Sequence, residues 1–332
     1  MQGSIAPAKH NRGFESLPSA KPFIPWGFNY DRDYKGRLIE DYWETDWPTI
    51  ESDLREMKAL RANVVRVHLQ FARFMDAPDR PRINALVRLE KLLALCSNLG
   101  LYVDITGLGC YRESDVPAWY RKMNQAKRWQ AQANFWRSVA LHSSHYSSVF
   151  AYDLMNEPVV PSNPLPSGAW VHPTSLDGYH YVQYIALDPG ADPAAVAKAW
   201  AHQLVSAIRQ VDSKHLITVG FLSISQAEAR AIAPEIDFIS VHIYPESGKI
   251  DDSLRTLAAF SIGKPIVIEE TFPLYCRAQE LESFIGRSRS LASGWLGFYQ
   301  GQTPDQLRRS KQIHDAMMLQ WLELFEKLNP RN

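Results

Sequence analysis

The stretch that decides the fold consists of VVRVHLQ at residues 64–70, INALVRLEKLLALCSNLG at 83–100 and LYVDITG at 101–107. Its first and last segments are short and almost continuously apolar, which is typical of parallel strands covered by helices. Between them, Leu86, Leu89, Leu93 and Cys96 recur on one helical face, and Gly100 is placed to end the helix. The stretch therefore predicts a strand, a helix and a parallel strand in succession.

The same unit repeats along the chain. Strands are predicted at Phe23–Tyr30, Val64–Gln70, Leu101–Gly107, Val149–Asn156, His215–Phe221, Phe238–Tyr244, Pro265–Glu270 and Trp295–Gln300. Helices are predicted at Trp47–Ala62, Ile83–Leu99, Asn124–His142, Ala194–Val211, Ser253–Phe260, Gln279–Ala292 and Pro304–Lys327. Eight such alternations favour a closed (β/α)8 barrel over an open doubly wound sheet. We expect one catalytic barrel domain at residues 23–332, preceded by a polar lead-in at residues 1–22.

The composition excludes several classes of partner. The 36 basic and 36 acidic residues give no net charge, so a nucleic-acid partner is not expected and a neutral ligand such as a sugar fits better. No apolar run reaches membrane-spanning length, and no signal peptide is visible at the N-terminus. We expect a protein without a membrane partner, either cytoplasmic or secreted with its signal already removed. The oligomeric state stays open.

Metal and serine chemistry have no sequence support. The three cysteines are scattered without a CxxC pair, and neither HExxH nor GxSxG occurs. No GxGxxG follows the first strand, which argues against a dinucleotide cofactor. No metal and no cofactor are therefore predicted.

Carboxylates end two of the predicted strands. Asn156-Glu157-Pro158 ends the fourth strand, and Glu269-Glu270 ends the seventh. Burying an unpaired charge is costly, so a carboxylate in such a place indicates a function. Two carboxylates across a barrel mouth can flank a glycosidic bond, and retaining enzymes hold them about 5–5.5 Å apart. We take Glu157 and Glu270 as the pair, with Glu269 either outside the barrel or in contact with the site.

Several motifs resemble those of clan A glycoside hydrolases, and of family five in particular. They are DLMNEP at 153–158, NVVRV at 63–67, VHIYP at 241–245 and PIVIEE at 265–270. The resemblance implies a retaining β-glycoside hydrolase with Glu157 as general acid/base and Glu270 as nucleophile. It also implies that Asn156 contacts the sugar 2-hydroxyl, that Arg66 lies beside the nucleophile, and that His242 and Tyr244 line the site. Tyr244 would donate a hydrogen bond to Glu270.

The chain departs from the family pattern at three positions. One is the glycine after the nucleophile motif, which is missing here because Thr271-Phe272-Pro273 follows. Thr106 occupies the place of a family histidine, and Phe298 or Tyr299 takes that of the strand-eight tryptophan under the sugar. The sugar therefore stays open among β-linked glucan, mannan and smaller β-glycosides. A carbohydrate-binding barrel that has lost turnover is the alternative function.

Further candidates for substrate binding each have a structural alternative. His68 either lines the pocket or is a satisfied core histidine. Trp43, Trp119 and Trp170 either stack on sugar faces or anchor the long loops that contain them. The loop at residues 159–192 holds three tyrosines and a tryptophan, which favours a partly blocked pocket for short substrates.

Overall fold

The computed structural model describes residues 2–8, 13–190 and 192–330 and contains a closed barrel of eight parallel strands. The strands, β1 to β8, are Trp26–Tyr30, Val64–Gln70, Tyr102–Gly109, Val149–Asn156, Leu216–Leu222, Ile239–His242, Ile266–Glu270 and Gly294–Phe298. Each strand pairs with the next along the chain, and β8 pairs with β1 to close the ring. The predicted (β/α)8 barrel is confirmed.

A helix follows each strand and covers the outside of the barrel. The helices, α1 to α8, are Trp47–Ala59, Ile83–Leu99, Gln125–Ser143, Pro193–Arg209, Gln226–Ile232, Ile250–Ala259, Ala278–Ser288 and Ile313–Lys327. Shorter helical segments are Ile39–Tyr42, Phe71–Phe74, Ala118–Arg121 and Pro304–Arg309, with a 3₁₀ turn at Glu113–Asp115. Helix α2 buries the predicted apolar face and ends at Gly100, whose backbone is left-handed with φ 66°.

Two helices differ from the sequence prediction. Helix α5 was not predicted, because its two turns bury only Ala229 and Ile232 and give little periodic signal. The helix predicted at Pro304–Lys327 is divided in two, because Ser310 adopts extended backbone angles that a helix cannot continue through.

Glycines on two strands let helix tryptophans approach the barrel wall. A Cβ atom on Gly297 of β8 would lie 1.7 Å from the Trp321 ring, and one on Gly107 of β3 would lie 2.3 Å from Trp136. Both rings are fully buried. The absence of a side chain at each glycine therefore sets how closely α8 and α3 pack on the sheet.

The lead-in folds against one end of the barrel. Its strands Ile5–Pro7, Phe14–Ser16 and Lys21–Phe23 form a three-stranded antiparallel sheet. The Phe14 ring lies 5.5 Å from that of Phe150 and 5.3 Å from that of Phe238. These two partners lie at the start of β4 and β6, so the sheet covers the end of the barrel where strands begin. The other end is left to the loops that follow the strands.

The remaining strands are short. Met75–Ala77 and Arg80–Pro81 form a hairpin after β2, and Pro158–Val159 pairs with Gln183–Tyr184 inside the long loop after β4.

All three cysteines carry free thiols. Within the described ranges, no helix is long and apolar enough to cross a bilayer.

Candidate active site

Glu157 follows directly after β4, in a backbone conformation that side chains other than glycine rarely adopt. Its φ is 46°, in the left-handed region. The Glu157 amide donates to the Gly220 carbonyl at 2.8 Å, and the Glu157 carbonyl accepts from the Gln183 amide at 3.4 Å. These bonds hold the strained residue between β5 and the long loop, and strain of this kind is concentrated at functional sites.

Glu270 is the last residue of β7, and both its carboxylate oxygens accept hydrogen bonds. Arg66 Nη1 donates to Oε1 at 2.7 Å, and the Tyr244 hydroxyl donates to Oε2 at 2.5 Å. The structure thus places Arg66 and Tyr244 against Glu270, where the sequence predicted them.

Glu157 and Glu270 face the same space, with His242 between them. One carboxylate oxygen of each glutamate and one His242 ring nitrogen all lie within 4.8 Å of one another. His242 Nδ1 lies 2.8 Å from Glu157 Oε1 and 3.4 Å from Glu270 Oε2. The two glutamates can therefore reach a single anomeric centre.

Arg66 lies at the centre of the barrel mouth and is fully buried. Besides Glu270, its guanidinium donates to Asn29 at 2.9 Å, to Asp153 at 2.7 Å and to Asn156 at 2.8 Å. The planar fork of arginine suits several oxygen acceptors at once. The Asn156 side chain also donates to the Tyr181 carbonyl at 3.2 Å, which ties the strand end to the long loop.

Asn29 and Asp153 belong to this network but were not predicted as site residues. Asp153 accepts from Thr106 at 2.8 Å and from the Gly220 amide at 2.8 Å. Asn29 donates to the backbone carbonyls of Glu269 and Gly297. The sequence signal for Asp153 is a charged residue inside the otherwise apolar fourth strand. Thr106, at the family's histidine position, thus contributes to the network.

The charges around the pair shift their proton affinities. Burial raises the pKa of Glu270, and the cations His242 and Arg66 oppose that rise. Burial disfavours the charged His242 ring, but Glu270, Glu157 and Glu269 outweigh it and raise the His242 pKa to about 10. His242 is therefore a cation at neutral pH.

Glu269 lies inside the barrel, not outside it. Its side chain is fully buried, and Oε2 lies 3.3 Å from His242 Nε2 and 3.4 Å from Arg66 Nη2. Of the two positions considered from the sequence, the structure selects contact with the site.

His68 lies on β2 beside this network. Its Nδ1 is 2.5 Å from the Tyr111 hydroxyl, and its Nε2 is 3.5 Å from Asn29 Oδ1. Burial, with Arg66 and His242 nearby, lowers the His68 pKa well below its usual value, so the ring is neutral. Its ring nitrogens contact Tyr111 and Asn29 and neither catalytic glutamate, which favours the interpretation as a satisfied core histidine.

Of the two candidates at the carboxyl end of β8, Phe298 faces the site, whereas Tyr299, the next residue, does not. The Phe298 ring lies 6.4 Å from the Tyr244 ring, nearly parallel to it. Tyr299 is 1% exposed and packs against Phe28 and Tyr30 in the core. The substrate-binding prediction for Tyr299 is thus corrected, because consecutive strand residues point to opposite faces.

The predicted sugar-stacking tryptophans are loop anchors in this structure. Trp43 packs on Phe74, and the Trp170 ring lies 4.3 Å from the Arg128 guanidinium carbon. Both tryptophans are buried, so neither offers a ring face to a sugar, and the stacking prediction is corrected for them. Trp119 is half-buried and packs against the core.

Glu157, His242 and Glu270 are also the described residues whose ligand atoms converge closely enough for a metal ion. The hydrogen bonds to both Glu270 oxygens and the positive charge on His242 oppose a cation there. The arrangement instead suits proton transfer and nucleophilic attack.

Comparisons with known proteins agree with this geometry. The family described as cellulase (glycosyl hydrolase family 5) matches residues 27–271, from β1 to the end of β7. No curated protein sequence gives a match.

Solved structures share the fold at low sequence identity. The exo-β-1,4-mannosidase Op5Man5 from Opitutaceae bacterium strain TAV5 is 19% identical with a TM-score of 0.71, over 96% of this chain and 61% of its own. This chain therefore spans less than two thirds of that protein. An endo-1,4-β-mannanase from Eisenia fetida is 14% identical with a TM-score of 0.64, over 98% and 96% of the two chains. The catalytic domain of Thermobifida fusca endoglucanase Cel5A is 16% identical with a TM-score of 0.58, over 89% and 85%.

The family match extends over most of the chain and includes both glutamates, in the motifs on which the resemblance was based. The expectation of a glycoside hydrolase is thereby confirmed: the chain belongs to glycosyl hydrolase family 5.

Proposed function

We propose that this protein is a retaining β-glycoside hydrolase in which Glu270 attacks the anomeric carbon and Glu157 is first acid and then base. The observation that carries the proposal is the approach of one oxygen of each carboxylate to within 4.8 Å. Retaining enzymes hold the two carboxyl groups about 5–5.5 Å apart, whereas inverting enzymes leave about 6.5–9.5 Å for a water.

The hydrogen bonds support this division of roles. Arg66 and Tyr244 bind both oxygens of Glu270, which favours an ionised nucleophile in a fixed orientation. Glu157 receives only His242 on one oxygen, and its other oxygen has no hydrogen-bonded partner within the described ranges. That oxygen is left for the leaving-group oxygen of the substrate.

The reaction follows in two balanced steps. Glu270 forms a bond to the anomeric carbon while the glycosidic bond breaks and the Glu157 proton moves to the leaving oxygen. Water then attacks the anomeric carbon and gives its proton to Glu157, and the bond to Glu270 breaks. The two inversions leave the product with the configuration of the substrate.

The alternative of a binding barrel without turnover was based on Thr106 and on the missing strand-eight tryptophan. Both of these positions have contacts within the site. Thr106 donates to Asp153 within the Arg66 network, and Phe298 lies beside Tyr244 at the strand-eight position. The catalytic pair itself is complete.

A leaving-group series tests the role of Glu157. Glu157→Gln should slow hydrolysis of aryl β-glycosides with poor leaving groups by several orders of magnitude, with much smaller losses for activated ones. Proton NMR of the first product should show the β-anomer. Equal losses for all leaving groups, or an α-anomer, would refute the proposal.

We further propose that the enzyme releases single sugars from the ends of short β-mannosides. Residues 177–181 of the long loop after β4 contact the loop after β1 through three of their side chains. Tyr181 donates to Asp31 at 2.8 Å, Arg32 pairs with Asp177 at 3.0 Å, and the Tyr179 hydroxyl donates to the Gly36 carbonyl. We infer that these contacts close one end of the substrate cleft. Op5Man5, which shares the fold, is an exo-β-1,4-mannosidase.

A digestion time course distinguishes exo from endo action. Mannohexaose should give mannose and mannopentaose first, and aryl β-mannosides should react faster than aryl β-glucosides. Early formation of mannobiose and mannotetraose without mannose would contradict exo action, while leaving the retaining mechanism untouched.

A further inference from the structure

Glu269 is a buried carboxylate to which the mechanism above gives no role. It precedes Glu270, and in a regular strand consecutive side chains point to opposite faces. The pairing of β6 with β7 slips by one residue, because Val241 lies opposite Ile268 whereas His242 lies opposite Glu270. This bulge leaves Glu269 as the extra residue and turns both glutamates into the barrel.

The surroundings of Glu269 form a closely fitted site. Ser240 Oγ donates to Oε1 at 3.0 Å, and Oε2 faces His242 Nε2 and Arg66 Nη2. On the neighbouring strand β5, Gly220 lies opposite Ser240 in the pairing with β6. A Cβ atom there would lie 3.0 Å from Glu269 Oε2, His242 Nε2 and Arg66 Nη2 alike. The barrel thus leaves space for this cluster by omitting a side chain.

His242 has a carboxylate oxygen against each ring nitrogen. Nδ1 faces Glu157 at 2.8 Å, and Nε2 faces Glu269 at 3.3 Å. A neutral imidazole has one N–H, so whenever Glu157 is ionised it would turn a lone pair toward one of these two carboxylates. The doubly protonated ring donates on both sides.

We propose that Glu269 is a positioning residue, the counter-ion that keeps His242 doubly protonated so that Nδ1–H donates to Glu157 throughout the cycle. The proposal rests on the proposed function in assigning Glu157 as acid/base. It deepens that function by naming the group that fixes the charge of the residue between the two catalytic carboxylates.

The other charged groups around the ring agree with this assignment. Arg66 on β2 is shared with Glu270 and Asp153, so it does not neutralise Glu269 alone. Asp104 on β3 is fully buried, and burial together with Glu269 and Asp153 raises its pKa well above its usual value, which disfavours a second negative charge beside Glu269. The pKa of Glu269 remains low despite its burial, because Arg66 and His242 favour its charged form.

The catalytic benefit follows from the movement of charge. Formation of the glycosyl-enzyme removes the negative charge of Glu270 and places one on Glu157. His242 contacts both carboxylates, so a permanently charged ring attracts whichever one is ionised. A neutral ring would stabilise the Glu157 carboxylate less and slow the first step, in which that charge forms.

Nitrogen NMR of ¹⁵N-histidine-labelled protein tests the proposal without relying on activity. The His242 signals, assigned by their loss in His242→Gln, should show two protonated nitrogens from about pH 6 to 8, where a free histidine titrates. One protonated nitrogen at pH 7 in the wild-type enzyme would overturn the proposal.

Two variants supply the kinetic test. Glu269→Gln keeps the shape but removes the charge, so deprotonation of His242 and the alkaline limb of kcat should both move down by about one pH unit or more. The slower first step should lower kcat and kcat/KM together, with little change in KM. Ser240→Ala removes the Oε1 hydrogen bond without altering charge, and its alkaline limb should stay in place.

An unchanged His242 titration in Glu269→Gln, or equal shifts in both variants, would contradict the proposal. If Glu269→Gln does not fold, the ¹⁵N spectrum of His242 in the wild-type protein still tests whether the ring is doubly protonated. A wild-type protein that hydrolyses no aryl β-glycoside would refute the proposed function. The His242 spectrum would still report the charge of the ring, because it does not depend on activity.

Discussion

Arg66 compensates the acidic groups of the pocket with a single guanidinium. It forms ion pairs with Asp153, Glu269 and Glu270, all at 3.4 Å or less. Removing one member of a buried ion pair costs about 3–5 kcal/mol, because the partner stays buried without compensation. Arg66 is therefore expected to matter for stability as well as for catalysis.

Arg66→Ala should lower the free energy of unfolding by about 3–5 kcal/mol and reduce kcat by about a hundredfold or more. Urea denaturation and steady-state kinetics measure the two effects. Arg55→Ala is the matched control, since it breaks only an exposed pair with Glu51 on α1, worth at most about 1 kcal/mol. Similar unfolding energies for both variants would contradict the account.

Tyr244 affects the pH dependence through its hydrogen bond to Glu270. Burial raises the pKa of Glu270, and the Tyr244 hydroxyl works against that rise. Tyr244→Phe should therefore raise this pKa further, so that the ionised nucleophile is lost at higher pH on acidification. We expect the acid limb of kcat/KM to move up and its plateau to fall about ten- to a hundredfold. A limb that moves down would show that Tyr244 does not stabilise the carboxylate.

At the scale of elements, strand ends and their motifs predicted the main contacts of the site. Glu157 and Glu270 lie at the strand ends where the sequence placed them. Arg66 and Tyr244 lie against Glu270, as the resemblance to family five implied. The orientation of Glu269 was left open, since it depends on a one-residue slip between β6 and β7. Such a slip has no local sequence signal.

The loops were less predictable than the strands. From the sequence, Trp43 and Trp170 were equally compatible with stacking on a sugar and with anchoring a loop. Whether each ring is buried depends on contacts with distant segments. The ring of Trp170, for example, packs on Arg128 from α3, more than forty residues earlier in the chain. A short helix such as α5 lacks enough turns for a periodic pattern to stand out.

Strand β5 makes room for the charged cluster at Gly220, which has no side chain. Gly220→Ala would place a methyl group 3.0 Å from polar atoms of Arg66, Glu269 and His242. We expect kcat to fall at least about tenfold, since displaced catalytic groups lose alignment. Gly286→Ala on α7 meets nothing within 4 Å and should leave kcat unchanged, with stability about 0.5–1 kcal/mol higher. Wild-type kcat in Gly220→Ala would show that the cluster tolerates expansion.

At the scale of the whole molecule, all eight strands contribute to one site. The contributing residues, from β1 to β8, are Asn29, Arg66, Thr106, Asp153, Gly220, His242, Glu270 and Phe298. The alignment of the pair therefore depends on the integrity of the complete barrel. The lead-in sheet matters for this reason, because it covers the opposite end.

Phe14→Ala should lower the free energy of unfolding by about 3–5 kcal/mol, because a buried aromatic ring is lost from between Phe150 and Phe238. Its kcat at low temperature should change little, since the site lies at the other end. Leu17→Ala, at a half-exposed position of the same segment, should stay within about 0.5 kcal/mol of wild type. Equal stabilities in urea denaturation would mean that the lead-in does not stabilise the barrel.

Trapping of the covalent intermediate tests the central claim most directly. An activated 2-deoxy-2-fluoro glycoside should inactivate the enzyme with one glycosyl group per chain, and mass spectrometry of the digest should find that group on Glu270. The same reagent should leave Glu270→Gln unmodified. A label on any other residue, or turnover of the reagent with an inverted product, would contradict the account.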